Sequence, residues 1–293
     1  MRRARHLEAI GLLQRRTTGV NGEDDSMNEW HHGKAHGSAV VIAMLLTVVA
    51  AGCNKSPSTN ANATGLASSD SSASGRVGCD NIPSADDLKK WLLTAPDSGN
   101  AGGMFAGKQE WATVVNRDGV VCAVAIATAD PSAAWMGSEA ISKAKAFTAN
   151  AFSTDTLALS TARLYTLSLP GHSLWSVANG NPFRPDCFDK PTKTGTTDHK
   201  ICGGTIAFGG GVPLYKNGRK VGGLGLSGDT PCADHEIAKR IRNFLGYNPG
   251  KGPYVDDITY SSVDHPSIYT HPLCPNTWRN GQKIGEEPVA SGY

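Results

Sequence analysis

Of the side chains able to do chemistry, the cysteines carry the clearest pattern. There are 7 of them, and Cys53 stands apart at the end of an apolar run over residues 38–52. The other six, Cys79, Cys122, Cys187, Cys202, Cys232 and Cys274, contain no C-x-x-C pair, no C-x-x-C-H haem-attachment site and no close Cys/His zinc spacing. Cys232 and His235 make a single pair, which is short of a metal site. In an oxidising compartment an even set of thiols reads as disulfides, and six cysteines leave many connectivities open. Sequence proximity favours Cys187–Cys202, and we expect Cys79–Cys122 and Cys232–Cys274 beside it, the last pinning a C-terminal extension to the core.

His172, His199, His265 and His271 fall on loops, where a neutral imidazole is free to ligate haem iron or simply to face water. His235 follows Asp234 near the start of the last helix, but adjacent helical residues do not face each other, so the two do not form a base and its orienter. That position suggests a capping or surface group. Gly223-x-Gly225-x-x-Gly228 fits a dinucleotide-binding pattern without the following parallel strand that such a site needs; we expect instead a strand crowded against a neighbouring backbone. Gly209, Gly210 and Gly211 would admit either a flat ligand or a bend in a sheet. Neither Ser173 nor Ser227 lies in a nucleophile elbow, no Gly-Lys-Ser/Thr loop exists, and no carboxylate pair has diagnostic spacing, so an enzyme is not supported.

The elements that must position these groups read as follows. Ser84 to Asp87 resembles a capping box before a helix over 88–93. Residues 111–115 and 120–128 are β-rich and flank the turn-forming Asn116-Arg117-Asp118-Gly119. A helical region opens at Asp130-Pro131, with Ala140, Ile141, Ala144, Phe147, Thr148 and Ala151 on its buried face and Lys143 and Lys145 expected on a solvated one. Residues 179–200 form a loop; 206–208, 212–215 and 220–226 read as strands, with Asn217-Gly218 as a hairpin turn. Asp229-Thr230-Pro231 starts a final helix with the apolar stripe Ile237, Ile241, Phe244, Leu245, and Gly246 ends it. Residues 247–293 lack periodicity and should wrap the domain. Short strands joined mainly by hairpins, with few helices between, indicate an α+β fold on an antiparallel sheet.

The chain of 293 residues carries 28 basic and 26 acidic side chains. With no basic run outside its leader, nucleic-acid binding by phosphate neutralisation is excluded. The apolar run over 38–52 is shorter than the ~20 residues of a spanning helix and matches a signal-peptide core. Val49-Ala50-Ala51-Gly52-Cys53 resembles a bacterial lipobox, with Ala50 where Leu is usual, which would make Cys53 the lipidation site; the alternative is an ordinary secretory signal cut after Ala50-Ala51-Gly52. Asn54 in place of Asp favours the outer membrane, facing the periplasm. Met27 offers a better start than Met1, so residues 1–26 read as an over-extended gene start within a leader over 1–52. Residues 53–78, rich in Ser, Asn, Ala and Gly, form a flexible tether.

Three stretches together resemble the GlcG/HbpS-like family. They are Ser138-x-x-x-Ser142-x-x-Lys145-Ala-Phe-Thr148-Ala, the segment 203–215 reading GGTIAFGGGVPLY, and the segment 220–235 reading KVGGLGLSGDTPCADH. The likeness spans about 110–246 within a domain over 79–246. It implies a profilin-like antiparallel sheet flanked by helices, a single domain, a homo-oligomer, and non-covalent binding of haem or a related tetrapyrrole. Carried onto this chain, the candidate contacts are His172, His235, Lys145, Gly210 and Gly211, with His172 and His235 as metal ligands. The insertion over 179–200, the extension over 247–293, His172 at a position where the family has Gly or another small residue, and a short first helix without histidine depart from the family pattern. The competing reading is a non-catalytic scaffold whose loop aromatics, Trp175, Trp278, Tyr254, Tyr260 and Tyr269, anchor an envelope protein partner.

Overall fold

Two apolar runs on either side of Asn116–Gly119 pair as an antiparallel hairpin, β1 (Trp111–Asn116) with β2 (Val121–Ile126). The structure, a computed structural model, describes residues 78–188 and 199–288. The leader, Cys53, the tether up to residue 77 and part of the 179–200 loop lie outside the described residues. A second hairpin, β3 (Gly211–Lys216) and β4 (Arg219–Ser227), turns at Asn217-Gly218 and completes one antiparallel sheet in the order β2-β1-β4-β3.

Every residue of β1 and β2 is buried because helices cover both faces of the sheet. On one face Ala112, Val114, Leu224 and Leu226 pack against Leu88 and Leu92 of α1 (Ala85–Thr94) and Ile237 and Ile241 of α4 (Pro231–Leu245). Ser84 caps α1 by accepting the Asp87 N–H at 3.1 Å. The other face carries α2 (Ser138–Phe152), with Ala146 against Trp111, Val115 and Val124. A Cβ on Gly225 would stand 2.1 Å from the Ser142 carbonyl oxygen, and one on Gly223 2.2 Å from that of Ala146. These glycines therefore serve helix-to-sheet contact, and the dinucleotide-like spacing has a packing cause.

The expected helix from Asp130 is only a 3-10 turn over Pro131–Ala133, and α2 starts at Ser138. The stretch 206–208 is not a strand: its backbone finds a side chain instead, the Ile206 N–H donating to Thr148 Oγ1 at 3.0 Å. Neither Lys143 nor Lys145 faces solvent; they are 5% and 0% exposed. Lys143 pairs with Glu139 at 3.0 Å, and the Lys145 partner belongs to another element, which no helical periodicity reveals.

Three disulfides join Cys79 to Cys122, Cys187 to Cys202 and Cys232 to Cys274. Among the described residues, α3 (Val177–Gly180) leads into the insertion, a 3-10 turn over Pro185–Cys187 lies within it, and α5 (Ser261–Asp264) forms a turn in the extension. Beyond α4, β5 (Thr259–Tyr260) pairs in parallel with β6 (Thr270–His271), and β7 (Thr277–Arg279) pairs with β8 (Gln282–Gly285). These strands are too short to read from a pattern; the extension is held by charge instead. Arg242 of α4 makes two 2.7 Å bonds to Asp256, with both side chains fully buried.

Candidate functional site

At the N-terminal end of α4 a set of ionisable side chains is sealed inside the protein. Thr230 caps that helix by accepting the Ala233 N–H at 3.3 Å, and Asp234 and His235 follow in its first turn. Lys145, projecting from α2, reaches Asp234 Oδ2 at 2.6 Å, the two side chains being 0% and 2% exposed. Asp234 Oδ1 accepts the Asp229 N–H at 2.9 Å. The Asp229 carboxylate in turn accepts from the backbone of Met104, Phe105 and Gly107 at 2.7, 2.8 and 3.1 Å, which fixes the loop before β1.

Glu110 lies at the foot of that loop, fully buried, and neither carboxyl oxygen has a hydrogen-bond partner. Burial, reinforced by the neighbouring Asp234 and Asp229 charges, raises its pKa well above the usual carboxylate range. Burial pushes Asp234 up to about 7, against the opposing pull of Lys145. The cluster therefore holds protons at a pH where exposed carboxylates have lost them. Within the described residues it is closed to solvent, so it organises the interior and offers no surface to a large ligand.

His235 faces the other way, toward the extension. Its Nε2 lies 3.4 Å from Asp257 Oδ1, and neither ring nitrogen makes a well-aligned hydrogen bond. Burial pulls its pKa down, against the opposing pull of Asp257. Asp257 is held well below the usual range by His235 and by Lys239, whose ammonium lies 2.7 Å away; these outweigh its burial. His235 is thus an interior group under the extension, neither a cap nor a surface residue.

Gly210 and Gly211 also differ from expectation. A Cβ at Gly210, whose φ is +119°, would lie 2.6 Å from Lys145 Nζ, and one at Gly211 2.5 Å from Thr161 Cγ2. The space beside them is filled by the protein's own ion pair and Thr161, so no flat ligand stacks there. His271, expected on a loop, is 1% exposed in β6; its Nδ1–H donates to the Pro272 carbonyl at 2.7 Å and its Nε2 accepts the Gly209 N–H at 3.2 Å. Its pKa is pushed down to about 4 by burial. Ligand atoms of Cys232, His271 and Cys274 lie within 4.8 Å of one another, yet both sulfurs are joined in the disulfide.

His172 is the candidate that remains open. It is exposed, in a turn closed by its N–H to the Leu169 carbonyl at 3.1 Å and by the Trp175 N–H to its own carbonyl at 3.1 Å. Leu169 and Trp175 are 38% and 58% exposed beside it. No hydrogen bond, ion pair or ring contact joins His172 to His235 or Lys145 among the described residues, so the proposed contacts do not form one site. Of the loop aromatics, Tyr254 is exposed, Trp278 and Tyr269 are half-buried, and Tyr260 is fully buried.

Sequence reasoning missed Glu110, Asp229, Asp256, Asp257 and Arg242. One signal was there: His235, Lys239 and Arg242 recur on one face of α4, a polar stripe opposite its apolar one.

A family model described as "Haem degrading protein HbpS-like" matches residues 101–242. Among solved structures, ORFY of Klebsiella pneumoniae, assigned to the family model DUF336, is 19% identical with a TM-score of 0.39, covering 57% of this chain and 92% of that one. PduOC in complex with haem is 22% identical, TM-score 0.40, with 57% and 97% covered. HbpS is 19% identical, TM-score 0.37, with 55% and 86% covered. None of the curated proteins compared gives a match.

Proposed function

We propose that this chain, whose residues 101–242 match the HbpS-like family model, is an envelope lipoprotein that binds haem or a related tetrapyrrole without a covalent bond. The family match carries the reading. The fit of the residues decides where such a group would sit: the interior candidates do not accept it, because Lys145, Gly210 and Gly211 are packed against one another and His235 is covered by Asp257. The surface around His172 does fit, since it is an exposed residue in a turn whose backbone bonds join it to Leu169 and Trp175, both exposed and apolar.

In this reading His172 would hold the iron, and Leu169 and Trp175 would offer the macrocycle apolar contact. Bound haem would supply a redox-active iron. A face open to solvent would be completed by a second copy of the chain, in keeping with a homo-oligomer. Cys53 would carry the lipid, and the tether after it would hold the domain off the outer membrane.

Titration of the mature protein with haemin, followed at the Soret band, tests the ligand. Saturable binding at micromolar haemin, weakened at least tenfold by His172→Ala, is expected. No Soret change in the parent protein, or equal binding by the variant, overturns the assignment. Cys53→Ser should abolish membrane attachment, and an acylated Cys53→Ser product would refute the lipobox.

A further inference from the structure

The extension does more than cover α4: where it returns over the core it closes a cleft of about 380 Å³. Its lining includes the apolar Leu157 and Ala158 after α2, Tyr215 of β3 and Val255 of the extension, together with the cations Arg163 and Lys251. Tyr215 keeps its hydroxyl out of play by donating to the Thr154 carbonyl at 2.7 Å. The one carboxylate on the rim, Asp155, is already matched by Arg117 at 2.7 Å and Arg219 at 3.7 Å.

The two cations differ from the rest. Arg163 is held at one nitrogen only, Nε donating to the Asp257 carbonyl at 3.1 Å, while its guanidinium carbon lies 5.3 Å from the centre of the Tyr269 ring. That fixes the plane of the fork and leaves both terminal nitrogens unengaged among the described residues. Lys251 is exposed and has no acidic partner there either. A second cleft, of about 300 Å³ beside α4, shows the contrast. Its Lys239 is bonded to Glu236, Asp257 and Asn280, and its Arg240 to Glu236 and the carbonyls of Ala95, Gly99 and Asn100. Of these two clefts the first combines apolar lining with positive charge that has no acidic partner among the described residues, and its volume falls within the roughly 300–1,000 Å³ of small-molecule sites.

We propose that this cleft binds a small amphipathic carboxylate, the anionic end bidentate on Arg163 with Lys251 beside it and the apolar body on Leu157, Ala158 and Val255. A planar, immobilised guanidinium matches a carboxylate in a way that a single ammonium does not, and the apolar lining rewards a hydrocarbon body over a bare anion. The site is independent of His172 and of any haem.

Calorimetric titration of the mature chain with octanoate and with benzoate tests it, 1-octanol serving as the uncharged control. Saturable binding of at least one carboxylate is expected, with 1-octanol at least tenfold weaker than octanoate. Lys251→Gln, at an exposed position without contacts, should weaken binding several-fold and lower its salt dependence. Arg163→Lys, which keeps the charge and removes the fork, should weaken it about tenfold; an unchanged melting temperature shows that losing the Nε bond to Asp257 leaves the fold intact. No binding of either carboxylate at millimolar concentration, equal binding of 1-octanol, or affinities unchanged in both variants overturns the proposal.

Discussion

Replacing Glu110 by Gln isolates the cost of keeping a carboxyl group inside the protein without a partner. Glu110 is fully buried and its folded-state pKa is raised well above its ordinary value of 4.5, so above that value the folded state keeps a proton that the unfolded state releases. For such a group stability is greatest at low pH and falls as pH rises. Each pH unit over which the folded carboxyl stays protonated while the unfolded one is ionised costs about 1.4 kcal/mol. Gln has nearly the same shape and no proton to lose. Its stability relative to the parent should therefore improve as pH rises from 5 toward 7, with a limiting slope of about 1.4 kcal/mol per pH unit, whatever the offset at pH 5. Urea unfolding at both pH values, with the disulfides intact, measures this as a change in midpoint at constant m-value. A stability difference that does not change with pH would refute the claim that Glu110 is protonated when folded.

Further expectations follow from neighbouring groups. His271 is held neutral with its pKa pushed down to about 4, so the folded state resists a proton that the unfolded state accepts, and stability is lost as pH falls from 6.5 toward 4. His271→Gln should flatten that acid limb by about 3 kcal/mol. Arg242→Met leaves Asp256 charged and buried and should cost about 3–5 kcal/mol, read by chemical denaturation; the double replacement Arg242→Met, Asp256→Leu should recover much of it. Replacing Cys232 and Cys274 by Ala opens a loop with a sequence separation of 42 and should cost about 4 kcal/mol, with faster hydrogen exchange through residues 256–260. Gly225→Ala places a methyl carbon 2.1 Å from the Ser142 carbonyl oxygen and should destabilise by about 2–3 kcal/mol, or prevent accumulation of folded protein.

The sequence alone determined the elements whose signals are local. The Ser84 cap, the two β-rich runs around Asn116–Gly119, the Asn217-Gly218 hairpin and the helix from Pro231 to Gly246 depend on turn chemistry, capping and periodicity within a few residues, and all four occur. A family likeness carried by three motifs was legible for the same reason, residue type at a fixed spacing, whereas of the disulfides proximity along the chain spoke for Cys187–Cys202 alone. Tertiary structure alone decided what the polar groups do. Lys145 reads as a solvated helix residue until α4 brings Asp234 to 2.6 Å, and Gly210 reads as an opening for a ligand until Lys145 fills the space beside it. Asp256 and Asp257 are an unremarked acidic pair in an aperiodic tail until the chain folds back and sets them against Arg242, Lys239 and His235. The physical reason is common to all three: burial and charge pairing depend on which elements meet across tens of residues, and neither propensity nor spacing along the chain encodes that meeting.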